Sequence, residues 1–153
     1  MYNASEIFQF ALQIEENGHN FYTKMSQKIT NTEIKDLFVY LAKEEIEHKK
    51  KFESILSTIE TYDEPTYPKE YFDYLHAYVH NTIFNENTLN ESIMNVSDPY
   101  TALSFAISME ADSIAYYLQI KNMLIEKDRL VIDKIIEEER KHYVQLTEAR
   151  KWL

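Results

Sequence analysis

The sequence predicts an all-α fold, a four-helix bundle in which two tight helical hairpins are joined by one long connection. Three observations carry this. The chain has one glycine and three prolines in 153 residues, too little turn chemistry for a fold of many short strands. Four long stretches repeat their core-type residues at alternating spacings of three and four, the seam that a bundle helix requires. The pattern lapses only in the middle of the chain, between Thr61 and Ser97.

Taken in order, the first helix is expected over residues 4–29, opened by Asn3 with Glu6 at the capping-box distance. The same spacing at Thr30 and Glu33 opens a second helix, expected over 31–60. Pro65 and Pro68 break the segment 61–97, within which Tyr71, Phe72, Leu75, Tyr78, Val79, Thr82 and Ile83 describe one short amphipathic helix. Asp98 followed by Pro99 reads as an N-cap with proline at the first helical position, opening a third helix over 99–126. A fourth helix is expected over 129–152. A bundle helix of about 26 residues is about 39 Å long, and the 61–97 segment is the crossover that covers that return distance. Residues 1–153 are read as one domain.

Composition removes whole classes of function. The chain has 26 acidic against 16 basic residues and a formal charge of −10, which argues against a nucleic-acid or anionic membrane partner. Lys49-Lys50-Lys51 is too short and isolated a basic run to change that. The absence of cysteine excludes disulfides, thiolate zinc sites, iron–sulfur clusters and a cysteine nucleophile within these residues. The start, Met1-Tyr2-Asn3-Ala4-Ser5-Glu6, has no basic region leading into an apolar stretch, so no signal peptide is read. No uncharged apolar run approaches the roughly 18 residues of a membrane span. The expected location is the cytoplasm.

The seams contain an internal repeat. The first helix places Phe8, Ala11, Glu15, Gly18, Tyr22, Met25 and Ile29 on one stripe, and the third places Leu103, Ala106, Glu110, Ser113, Tyr117, Ile120 and Leu124 on the same pattern. Glu, a small residue and Tyr occupy matching places in both. The second helix reads Phe38, Leu41, Glu45, His48, Phe52, Ile55, Ile59, and the fourth reads Ile132, Ile135, Glu139, His142, Leu146, Ala149, Leu153. The chain is two copies of one hairpin, with equivalent polar residues in seams that should otherwise be apolar.

Four carboxylates in a core cannot remain ionised and unpaired, since each would cost several kcal/mol. Two divalent cations match the charge of Glu15, Glu45, Glu110 and Glu139, with His48 and His142 as neutral ligands. Glu and His three residues apart share a helix face and reach one ion together. Oxygen-rich ligation with one imidazole per metal suits two iron ions, or manganese or zinc in their place, and disfavours copper(I). Such donor sets, projecting from four helices, are the general pattern of di-iron carboxylate bundles. Gly18 and Ser113 leave room beside the ions, although an interior glycine costs about 1 kcal/mol against alanine.

The stretches Ile14-Glu-Glu-Asn-Gly-His-Asn-Phe-Tyr22, Leu41-Ala-Lys-Glu-Glu-Ile-Glu-His48 and Ile136-Glu-Glu-Glu-Arg-Lys-His142 resemble the rubrerythrin branch of the ferritin-like superfamily. The resemblance covers essentially the whole chain. It implies that Glu45 and Glu139 bridge the two ions, that Glu15 and Glu110 are terminal ligands, and that His48 and His142 each bind one ion. It also implies that Glu44 hydrogen-bonds His142 and Glu138 hydrogen-bonds His48, although both also suit a charged helix surface. The activity implied is reduction of hydrogen peroxide or oxygen at a di-iron centre, as protection against oxidative damage. Two features depart from that pattern. No cysteine is present to form a rubredoxin domain, so electrons are expected from a separate protein such as a rubredoxin. Ser113 stands where rubrerythrins carry an extra glutamate.

Other residues carry open readings. Tyr22 and Tyr117, two turns from Glu15 and Glu110, suit hydrogen bonds to the terminal carboxylates, electron relay, or plain core packing. His76 and His80, with Asp73 near them on the crossover helix, suit an accessory metal or simple exposure, and His19 is expected at the surface. The alternative function is an iron-oxidising or iron-carrying protein without dedicated turnover, and a third is a metal-stabilised interaction module. A homodimer is compatible with each of these.

Overall fold

The computed structural model describes residues 4–58, 68–83, 96 and 98–153. Among them run five α-helices, and no strand is present. These are α1 (Ala4–Lys28), α2 (Thr32–Thr58), α3 (Lys69–Tyr78), α4 (Pro99–Ile120) and α5 (Glu126–Ala149). A π-helical turn, Val79–Ile83, continues α3, and short 3-10 turns follow α4 and α5. The fold is an all-α, ferritin-like helical bundle.

Helix ends depart from the sequence reading in three places. Asn31, not Thr30, caps α2: its side-chain oxygen accepts from the backbone N–H of Ile34 at 3.1 Å, which satisfies a donor that the helix start leaves open. Thr32 is therefore the first helical residue, and Glu33 falls one place short of the capping-box position. The third bundle helix ends at Ile120 rather than 126. After the turn Lys121–Met123 the backbone is extended at Leu124, with φ −103° and ψ 156°. That extension lets the Leu124 side chain, 6 % exposed, reach the core, so the apolar stripe continues where the helix does not. The last helix consequently starts earlier, at Glu126, with Glu126 and Asp128 in its first turn, where acidic groups complement the helix dipole. The Asp98 cap is as expected: its carboxylate accepts from Thr101 N–H at 2.8 Å, with Pro99 at the first position. The proposed Asn3 cap, the last two residues of the expected second helix, 59–60, and residues 61–67, 84–95 and 97 of the crossover lie outside the described residues.

Two apolar clusters form the core, one toward each end of the bundle. One joins Phe8 and Ile14 of α1, Phe52 of α2, Tyr117 of α4 and Ile135 of α5. The other joins Phe21 and Met25 of α1, Phe38 of α2, Leu103 of α4 and Leu146 of α5. This membership sets the directions. The N-terminal half of α1 shares a cluster with the C-terminal halves of α2 and α4 and the N-terminal half of α5. Neighbours within each hairpin are thus antiparallel, while α2 and α4 run the same way, which requires a crossover the length of the bundle. The crossover helix lies along the side of α1 and α4, burying Phe72, Leu75 and Val79 in the first cluster. Tyr71 and Tyr78 fasten it to α4, donating to the carbonyls of Gln119 at 2.9 Å and Asp112 at 3.1 Å.

Candidate metal centre

Between the two apolar clusters lies a polar layer. Glu15, Glu45, His48, Glu110, Glu139 and His142 are each at most 4 % exposed. One donor group comprises Glu15, Glu45, His48 and Glu139, and a second comprises Glu45, Glu110, Glu139 and His142. Within each, one ligand atom per residue lies within 4.8 Å of all the others. Glu45 and Glu139 belong to both groups, one each from α2 and α5. The seam spacing explains the meeting: all six residues occupy core-facing positions at the same level of four helices.

Glu139 lies between the two imidazoles. Its Oε1 is 3.0 Å from His48 Nδ1 and its Oε2 is 3.0 Å from His142 Nδ1. The two rings stack 5.6 Å apart at 21°. His48 Nε2 lies 2.7 Å from Glu138 Oε2, and a carboxylate there accepts the Nε2–H, leaving Nδ1 as the nitrogen that faces the donor group. His142 Nε2 is 3.8 Å from Glu44 Oε2, farther than a hydrogen bond reaches. The tyrosines cross over. Tyr22 of α1 donates to Glu110 of α4 at 2.5 Å, and Tyr117 of α4 donates to Glu15 of α1.

Electrostatics make it costly for all four carboxylates of this layer to be ionised together without cations. Burial, and after it repulsion from Glu139, hold Glu45 and Glu110 well above the usual carboxylate range and raise Glu15. Burial alone would also raise Glu139, but hydrogen bonds with Glu110, His142 and His48 bring it well below that range. Burial would lower His48, yet its hydrogen bond to Glu139 and the Glu15 carboxylate 3.6 Å from its Nδ1 prevail and hold it at about 11. Burial and the adjacent carboxylates push both tyrosines well up, so their hydroxyls remain proton donors. Glu15 Oε2 is buried without a hydrogen-bond partner among the described residues, with His48 Nδ1 3.6 Å away, and a donor or cation at closer range would offset that cost. Six donors of carboxylate and imidazole type, with an orphaned carboxylate oxygen turned among them, fit a pair of divalent metal ions.

Gly18 has a specific reason to be glycine. A Cβ there would meet Glu45 Cδ at 3.2 Å and Cγ and Oε2 at 3.3 Å. The space expected beside the ions is therefore space for the shared carboxylate. Ser113 turns its hydroxyl back to the carbonyl of Met109 at 2.9 Å. His19 is half-buried rather than on the surface, because its Nδ1 bonds the carbonyl of Ala42 at 2.9 Å and ties α1 to α2. His76 and His80 pack 4.3 Å apart, both edge-on to Phe10. They belong to neither donor group.

Two residues near the layer escaped the sequence reading. Lys51 donates to Glu138 at 3.3 Å, and the Tyr40 ring stands edge-on to His142 at 6.3 Å. Lys51 follows His48 by three residues, the same interval as Glu45 to His48, which places it on the same face. That interval was the available signal.

No helix among the described residues is long and apolar enough to cross a membrane. No curated protein and no solved structure matches the chain. The family model described as Rubrerythrin matches residues 6–149. That span contains all six buried donors and all four bundle helices but the first two residues of α1, and the chain belongs to the rubrerythrin family of ferritin-like di-iron proteins.

Proposed function

We propose that Glu15, Glu45, His48, Glu110, Glu139 and His142 hold two iron ions, with Glu45 and Glu139 bridging, and that the protein reduces hydrogen peroxide or oxygen. The observation that supports this most is the sharing of Glu45 and Glu139 between two buried donor groups. An iron pair, when bound, supplies two electrons to an oxidant. The chain's own residues prepare the place. The apolar clusters on either side keep bulk water away. Glu138 accepts from the outer nitrogen of His48, which turns its Nδ1 inward, and Glu44 faces the outer nitrogen of His142 from 3.8 Å. Tyr22 and Tyr117 hold protons at Glu110 and Glu15, next to where reduction to water would consume them.

The 153 residues hold no cysteine, so a thiolate-held iron that feeds electrons lies outside them, in a donor such as a rubredoxin. We place this chemistry in the cytoplasm, as protection against oxidants. The test begins with metal analysis of protein purified without air, for which two irons per chain are expected rather than manganese or zinc. Stopped-flow oxidation by peroxide and by oxygen follows, then re-reduction by a rubredoxin. Repeated turnover supports the enzyme. A single oxidation that no donor reverses would instead favour iron handling.

A further inference from the structure

The two halves of the polar layer are built from an internal repeat but are not braced alike. Residue n of the second helix corresponds to residue n + 94 of the last, as Glu45 to Glu139 and His48 to His142 show. On the His48 side, Glu138 Oε2 lies 2.7 Å from Nε2 and also accepts from Lys51 Nζ at 3.3 Å. Lys51, Glu138 and His48 thus form a continuous chain that holds the ring. On the His142 side, the matching carboxylate, Glu44, is 3.8 Å from Nε2. The position matching Lys51 is Gln145, which cannot ion-pair, and its Oε1 is buried with no hydrogen-bond partner among the described residues. The position matching Lys134 is Tyr40, whose ring stands against His142.

A ligand whose ring is already held in its binding orientation loses less freedom on taking up a metal, and outer partners of this kind are worth about tenfold to a hundredfold in affinity. The Lys51 charge opposes a cation, but the residue is 35 % exposed, so solvent screens it. The brace prevails.

We propose that the two metal positions differ in affinity: the one held by Glu15 and His48 fills first, the one held by Glu110 and His142 fills last and exchanges faster, and Glu138 with Lys51 sets that order. The inference rests on the two-ion reading above. The protein passes through a state with one ion, which lets the last position be loaded or replaced without dismantling the first.

Calorimetric titration of the metal-stripped full chain with zinc(II) tests this. Two binding phases are expected, separated by about tenfold to a hundredfold in dissociation constant. Glu138→Ala should weaken the tighter phase and bring the two together, while Glu44→Ala should leave the tighter phase unchanged. Lys51→Gln should narrow the gap from above and Gln145→Lys from below. The two last variants alter no donor residue, so they decide the matter should Glu138→Ala lose its helical circular dichroism. Two ions binding with one affinity, or Glu44→Ala weakening the tighter phase, would overturn the inference and leave the two-ion reading intact. Failure to bind two ions at all would overturn both.

Discussion

Gly18→Ala separates the needs of the fold from those of the metal. In a helix interior alanine is favoured over glycine by about 1 kcal/mol. Against this stands the close approach: the new methyl group would meet Glu45 Cδ at 3.2 Å and Cγ and Oε2 at 3.3 Å, so the Glu45 side chain must yield by a few tenths of an ångström. In metal-stripped protein Glu45 can turn aside, at about 0.5–1.5 kcal/mol for an off-rotamer angle. The two contributions nearly cancel, and stability should change by less than about 1 kcal/mol, a melting shift within about 2–4 °C for a chain of this size. With two ions bound, Glu45 is held in place and cannot turn aside, so affinity should fall about tenfold to a hundredfold, the scale on which misplaced ligand support is felt. The gap in melting temperature between loaded and stripped protein should therefore narrow. Differential scanning calorimetry of both forms, with a zinc(II) titration, measures each quantity. A variant that binds metal as tightly as wild type, while the loaded form gains the full helix preference, would refute the role given to Glu45. Severe loss of stability in the stripped form would show that the contact is one of ordinary core packing.

Three further outcomes are expected. Metal-stripped protein should melt at higher temperature as pH falls from 8 toward 5. Glu45, Glu110 and Glu15, raised by burial and then chiefly by repulsion from Glu139, are destabilising while ionised and are relieved by protonation. His48 acts in the same direction, its contribution complete below its ordinary value of 6.5 and lost as pH rises toward about 11. Glu139, held low, reverses the trend only below its ordinary value of 4.5; loaded protein should show the opposite slope above that, because protons compete with metal, and a stripped form with no pH trend would refute the shared burial. Glu45→Ala or Glu139→Ala should abolish binding of both ions, whereas Glu44→Ala should cost at most about tenfold, the lower end for an outer partner; equal losses in equilibrium metal binding would refute the bridging assignment. Ser113→Glu should raise the ratio of peroxide to oxygen oxidation rates in stopped flow, since a carboxylate is a far better anionic ligand than a serine hydroxyl bonded to Met109; a wild type already selective and indifferent to the change would locate selectivity elsewhere.

What was legible in the sequence was whatever repeats at helical spacing. The alternation of three and four in the seams placed Glu15, Glu45, His48, Glu110, Glu139 and His142 at one level of the bundle, and the structure brings them together. The crossover helix was legible for the same reason, through Phe72, Leu75 and Val79. Helix ends were less so. Leu124 keeps the apolar stripe going beyond the point where the backbone leaves the helix, and Asn31 and Thr30 are both good caps, separated only by which side chain reaches Ile34 N–H. Least legible were partners distant in sequence. Lys51 and Glu138 meet across 87 residues, and the crossed tyrosines could as well have bonded within their own hairpins. Periodicity fixes the face on which a residue lies, not which neighbour on the opposing helix it will touch.

The sharing of donors between hairpins governs when the centre can exist. The first hairpin supplies Glu15, Glu45 and His48 but needs Glu139 to finish one donor group; the second supplies Glu110, Glu139 and His142 but needs Glu45. Tyr22 and Tyr117 likewise serve the opposite half. Each hairpin is assembled from local contacts, which form early, whereas their docking awaits the crossover and closes a long loop. A growing chain thus lacks both donor groups through most of its synthesis and gains them together, when its second half arrives. Neither donor group can close on an ion before the hairpins dock, so metal binding, where it occurs, would report completed folding.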